Sequence, residues 1–189
     1  AGGALELFAA GAFAVQIVIT FARGSVVFEP YIAFIFMGLA FFIAQTIFGH
    51  WHIWETMVAE TRAALLKQVQ VYQAVLRDLQ IHGMALFMIL GVSLRLLPGL
   101  LDVPAITPRR AWTSFALLIA GVAGECALFI AYGKTGRVGF AAALPAAWLL
   151  LTVGALLFPW TWRLWRGRPA GGRSAKFIRV AYLWLAISL

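Results

Sequence analysis

FEPYIAFIFMGLAFFIAQTIFG, residues 28–49, is a run of 22 residues whose only charge, Glu29, stands at its edge. A bilayer core of about 30 Å takes about 20 apolar residues in helical form, so this run reads as a membrane-crossing helix. Runs at about 4–22, 79–98 and 111–132 have a similar length and character, and a fifth extends from about Gly139 to Trp160. The expected fold is therefore all-α, a polytopic transmembrane helical bundle of at least five spans forming one domain over residues 1–189. Residues 4–22 read as a true span rather than a removable signal, because Glu6 precedes the apolar run and no basic segment leads into it.

FIRVAYLWLAISL, residues 177–189, is too short to cross and reads as the start of a sixth span. Position 1 is not Met and the first span begins almost at once, so the chain is expected to be a fragment of a longer membrane protein. The remainder of that protein, or other membrane subunits, are then expected partners beside the lipid itself.

Composition agrees with lipid as the main solvent. Hydrophobic residues make up 63% of the chain and charged ones 12%, against about 25% charged in an ordinary soluble domain. The net charge of +8 does not point to nucleic acid, because the basic residues are spread over the connections instead of gathered on a soluble domain. They read as topology signals and contacts to anionic lipid. Odd-numbered connections carry nine of them (Arg23; Arg95, Arg109, Arg110; Arg163, Arg166, Arg168, Arg173, Lys176), and even-numbered ones carry five (Arg62, Lys67, Arg77; Lys134, Arg137). The positive-inside rule puts the odd side in the cytoplasm of an inner (plasma) membrane, and the histidines on the periplasmic or outer side.

Tryptophans mark the expected edges: Trp51 and Trp54 after the second span, Trp112 before the fourth, and Trp160, Trp162 and Trp165 after the fifth. In FPWTWRLWR, residues 158–166, they interleave with arginines as an interfacial anchor does. GRPAGGRSAK, residues 167–176, reads as a flexible basic loop, and LPGLLDVPAITPRR, residues 97–110, as a non-helical connection with three prolines. Residues 54–78 form the one substantial polar element. Leu65, Val69, Tyr72, Leu76 and Leu79 make one helical stripe there. Two arrangements fit it: an amphipathic helix on the outer leaflet, or a hairpin in which the second and third spans extend beyond the bilayer.

Candidate chemistry centres on three histidines. FGHWHIWE, residues 48–55, holds His50 and His52, and LQIHGMAL, residues 79–86, holds His82 about one turn inside the third span. Neutral imidazole is a common ligand for iron, copper and zinc, and haem iron needs an axial imidazole facing an apolar slot. His50 and His52 lie about 200° apart on a helix, so one centre cannot take both unless the helix ends between them. One arrangement puts His50 or His82 on an iron, with His52 and Glu55, which share a face, near a second metal or a propionate. The bland reading of His52 is a residue at the headgroup level, whereas an ionisable His82 inside hydrocarbon is a functional hypothesis by default.

Glu125, near the middle of the fourth span, is expected to serve a proton pathway or a buried polar network, with Gly121 and Gly124 allowing close helix approach. Glu6 and Gln45 are weaker members of the same class. Arg95, ending the third span, reads as snorkelling to headgroups. The lone Cys126 excludes a disulfide or a cysteine metal cluster within these residues and reads as a small buried hydrophobe.

LQIHGMALFMILGVSLRLLPG, residues 79–99, resembles the NnrS family of haem-copper-like membrane proteins, in a histidine entering a span, a glycine beside it, then MILGVS and an arginine. FGHWHIWE is similar to that family's WHxHE-like signature, with His50, Trp51, His52 and Glu55 in a related but shifted order. The two stretches cover about 40 residues. The resemblance implies haem and/or copper between helices on the outer side, in nitric-oxide or respiratory redox chemistry. His50 and His82 are then the expected cofactor ligands, and His52 with Glu55 the expected metal site. The alternative class is a transporter or non-catalytic membrane subunit in which Glu125 is the key buried polar group. A cytochrome b561-like electron carrier is a third reading, although such carriers usually pair histidines deep in several spans. The sequence assigns no catalytic residue.

Overall fold

The computed structural model describes residues 2–24, 27–162, 164 and 172–188. Their regular structure is helical throughout: α1 (Gly2–Arg23), α2 (Pro30–Met57), α3 (Arg62–Asp78), α4 (Leu86–Leu101), α5 (Pro108–Thr135), α6 (Val138–Thr161) and α7 (Gly172–Ser188). A π-helical segment, Leu79–Ala85, joins α3 to α4 without a break. Five stretches are long and apolar enough to cross a membrane: Ala4–Arg23, Pro30–Met57, the continuous Arg62–Leu101, Pro108–Thr135 and Val138–Thr161. The all-α, multi-span architecture expected from the apolar runs is the one observed.

Helix ends follow backbone chemistry. Pro30 and Pro108 open α2 and α5 at their first turns, where a missing N–H removes a donor that has no intrahelical partner anyway. Gly136 closes α5 at φ +66°, and its N–H donates to the Tyr132 carbonyl at 2.7 Å, a left-handed cap that glycine adopts without a Cβ penalty. Asp102 closes α4 in the same left-handed region at φ 50°.

Three readings of the connections meet the structure differently. Residues 97–110 are not one non-helical link: α4 runs through Pro98 to Leu101, and α5 starts at Pro108. Pro98 lies one turn from the end of α4 and its carbonyl accepts from Val103 N–H at 3.2 Å, so a proline so near the terminus does not stop the helix. Second, of the two arrangements that fit residues 54–78, the hairpin is the one observed: α2 continues to Met57, and α3 is continuous with the third span. That span is 40 residues long, about 60 Å at 1.5 Å per residue. Third, the buried positions of α3 are Val71, Val75 and Asp78, while Leu65 and Val69 of the expected stripe are exposed. The face is turned because α3 packs on two neighbours at once: Tyr72 meets Trp51 of α2 edge-on at 4.9 Å, and Val71 abuts Gly133 of α5.

Glycines set the close approaches. A Cβ on Gly121 of α5 would lie 2.6 Å from Leu151 Cγ of α6, and one on Gly154 of α6 would lie 2.9 Å from Leu118 Cγ of α5. Small residues let backbones approach in this way where lipid gives no hydrophobic drive between helices. Ser114 Oγ adds an interhelical bond, donating to the Gly154 carbonyl at 2.6 Å. Gly38, Gly83 and Gly91 do the same where α2 crosses the third span, Gly83 meeting the Phe41 ring and Gly91 the Phe34 side chain.

An aromatic core fills the space between these helices. Phe34 stands 5.6 Å from Phe87, 5.2 Å from Phe115 and 5.5 Å from Phe158, ring centre to ring centre. Trp162 belongs to this core, buried against Phe158 and Tyr182, and so is not the interfacial anchor its sequence context suggests; Trp160 is 78% exposed. Trp165 and Arg163, Arg166 and Arg168 lie outside the described residues, as do residues 167–171 of the expected basic loop, whose last residues open α7.

Candidate functional site

Two antiparallel helix pairs bring polar side chains from separate stretches to one place. α3 runs against α5, and Val71 faces Gly133. Moving inward along that pair, Asp78 comes opposite Cys126, whose thiol donates to Asp78 Oδ2 at 3.1 Å. α5 also runs against α6, where Gly121 faces Leu151 and Gly124 faces Ala147. The next step brings Glu125 to Trp148, whose indole N–H donates to Glu125 Oε1 at 2.7 Å.

Each carboxylate thus has its outer oxygen held by a neutral donor, and the inner oxygens converge. His82, one turn after Asp78 in the π segment, donates its Nδ1–H to Asp78 Oδ1 at 2.5 Å and shares it with Glu125 Oε2 at 3.0 Å. One ligand atom from each of Asp78, His82 and Glu125 lies within 4.8 Å of the others. Relative exposure of the side chains is 3% for Asp78, 5% for Glu125 and 21% for His82, so the carboxylates are sealed and the imidazole forms the open side. A buried ionised carboxylate is tolerated only when paired or metal-bound. Among the described residues no lysine or arginine forms an ion pair with either one, and His82 is the sole basic partner.

The open side leads to two cavities. A small one of about 50 Å³ is lined by Arg77, Asp78, Ile81, His82, Glu125, Ala74 and Phe129. A larger groove of about 390 Å³, walled mainly by Ile81, Ala85, Leu86, Ile89 and Leu185, shares Arg77 and His82 with it. π turns are rare and often mark functional sites, and this one carries His82 and Gly83, with Gly83 giving room for Phe41 of α2.

The sequence-nominated residues are distributed unevenly over this arrangement. His82 and Glu125, nominated separately for a ligand and for a buried network, touch each other. His50 lies elsewhere: its Nδ1–H donates to the Thr46 carbonyl at 2.6 Å, and its Nε2 is buried without a partner. His50 and His82 share no bonding partner. His52 is buried beside Tyr72 with Nδ1 unpartnered. Because α2 continues unbroken to Met57, His50 and His52 point to different sides, and Glu55 is half-buried with no bond to His52. Arg95 stacks its guanidinium on the Tyr31 ring at 5.7 Å. Glu6 is exposed.

Three members of the centre escaped sequence reading. Asp78 belongs in sequence to the polar connection, and its spacing of four from His82 is the one local signal that ties it to the site. Trp148 and Cys126 carried none: an indole and a thiol inside apolar helices look like packing. Cys126 is half-buried and hydrogen-bonded, not the inert hydrophobe expected of it. No known protein family, curated protein or solved structure matches the chain.

Proposed function

We propose that the protein is a multi-pass membrane transport protein whose working element is a cation-binding centre formed by Asp78, His82 and Glu125. One observation carries this reading. Two carboxylates, nearly sealed inside an apolar bundle, converge on a single imidazole nitrogen, and among the described residues no lysine or arginine is ion-paired to them. Ionisable groups in such surroundings are costly and mark ion pathways by default, and two carboxylates facing one imidazole can take up a proton or another small cation. The excess of positive residues on the odd connections supports a cytoplasmic location for that side, which sets the centre nearer the outer face of an inner membrane.

The test is entry of cations into liposomes carrying the purified protein, with a potential set by K⁺ and valinomycin. A trapped pH dye reports protons and a trapped metal-quenched dye reports Mn²⁺. Entry of at least one of them should exceed that of protein-free vesicles and disappear in Asp78→Asn and Glu125→Gln. Wild-type entry no faster than empty vesicles for both probes sinks the reading.

A second reading, a haem or copper protein of the NnrS kind, is favoured by His50. Its Nδ1–H is fixed on a backbone carbonyl and its Nε2 lone pair is buried and free, which is how metal-ligating histidines are commonly oriented. His82 is less suited to share that cofactor, since its own partners are Asp78 and Glu125. A reduced-minus-oxidised haem spectrum that vanishes in His50→Ala would support this reading, and a colourless protein without copper would remove it.

A further inference from the structure

We propose that the centre binds one divalent first-row transition-metal ion, of the Zn²⁺ or Mn²⁺ type, through Asp78 Oδ1, Glu125 Oε2 and His82 Nδ1. This inference deepens the cation-transport reading and rests on it for the site, but binding and transport are measured separately.

The donor set argues for the class of ion. Imidazole nitrogen with carboxylate oxygen suits zinc, iron, manganese and their neighbours, whereas Ca²⁺ and Mg²⁺ sites are built from oxygen. Spacing agrees. Metal–ligand bonds of about 2.0–2.2 Å separate neighbouring donors by about 3–3.5 Å, and Nδ1 stands 2.5 Å from Asp78 Oδ1 and 3.0 Å from Glu125 Oε2. Seating an ion therefore needs the donors to part by about 0.5–1 Å and the Nδ1 proton to give way to the metal: it is released through the adjoining cavity, and the neutral imidazole keeps its hydrogen on Nε2.

Metal ligands are ordinarily oriented by outer hydrogen bonds, and here that support is already in place. Cys126 holds Asp78 Oδ2 and Trp148 holds Glu125 Oε1; both donors are neutral and leave the inner oxygens free to ligate. The adjoining cavity of about 50 Å³ has room for one or two waters at about 30 Å³ each, enough to complete a four- or five-coordinate shell. Two carboxylates also neutralise a divalent charge, where a monovalent ion would leave the apolar surroundings with a net negative charge.

Arg77 lines the same cavity with an exposed side chain and makes no ion pair with the carboxylates. Its charge opposes the ion, so Arg77→Gln should tighten binding by a few-fold.

The experiment is calorimetric titration of the purified, detergent-solubilised protein with Zn²⁺, repeated by Mn²⁺ electron paramagnetic resonance. One ion per chain is expected. Affinity should fall at least tenfold in Asp78→Asn, Glu125→Gln and His82→Gln, each checked for helix content by circular dichroism, and should be unchanged in the double variant His50→Ala/His52→Ala. Absence of binding by the wild-type protein overturns the proposal without reference to any variant. So does binding that persists in well-folded Asp78→Asn and Glu125→Gln, or that is lost in the His50/His52 double variant alone. Proton entry in liposomes without metal binding would leave the transport reading standing and remove this one; metal binding without entry of either cation would do the reverse.

Discussion

The bundle has two interiors built on the same helices. Toward one end, Phe34, Phe87, Phe115 and Phe158 interlock in a mainly apolar, ring-built core pinned by glycine contacts. Toward the other, α3, α5, α6 and the π segment surround a carboxylate–imidazole cluster beside a cavity. The aromatic end is shape-matched: its groups have nowhere else to go, and its bonds are dispersion contacts that need close fit. The polar end is held by directed hydrogen bonds and is loosely filled. A membrane protein can afford the second only where the first holds the helices in register.

That contrast implies opposite responses to substitution. The largest loss is expected for Phe87→Ala, which removes a ring touching Phe34, Phe41 and Phe115 and should destabilise by about 3 kcal/mol or more, read as a lower melting temperature in detergent. Next comes Gly121→Val, which drives a methyl-bearing carbon into Leu151 and its backbone. Overpacking of this kind costs about 1–3 kcal/mol, and adding Leu151→Ala should restore part of it. Cation affinity should stay nearly unchanged for the folded fraction of both.

The polar end should behave in reverse. Trp148→Phe keeps the bulk of an aromatic ring but removes the donor to Glu125 Oε1, and loss of such an outer partner lowers metal affinity by about 10–100-fold with little change in melting. Cys126→Ala removes only a weak thiol donor to Asp78 and should cost a few-fold at most. If Trp148→Phe or Cys126→Ala melted as early as Phe87→Ala while binding was untouched, the two interiors would not differ in kind, and the polar cluster would be a structural clasp.

The sequence made the spans legible because apolar length is a property of single segments. Residues 111–132 and 139–160 each fall within one helix, and residues 28–49 do so from Pro30 onward; α2 then runs on for eight residues to Met57, the other two helices for one to three at each end. The site was legible only in pieces. His82 and Glu125 each stood out as ionisable groups in apolar runs, but their meeting depends on the α3–α5 register, which Gly133 and Val71 fix through a close contact that no local pattern announces. The pairing expected between His50 and His82 fails on register: Gly83 meets Phe41 while Gly49 meets Leu76, which sets the two histidines about two helical turns apart along the α2–third span pair. The π segment was invisible for a related reason. LQIHGMA has ordinary helix-forming residues, and the wider turn comes from packing: Gly83 takes the Phe41 ring at its Cα, and the Leu86 N–H reaches back to the Ile81 carbonyl.

A π turn also has a mechanical meaning. It holds one residue more than an α turn, and one residue is about 100° of rotation on a helix. Were Leu79–Ala85 to tighten into α-helix, α3 would turn by about that angle relative to α4, carrying Asp78 away from the face of α5 that bears Glu125 while His82 moved much less. The three donors are gathered only as long as that extra residue is kept in the turn, so any force that twists α3 against the rest of the bundle is also a means of opening the centre.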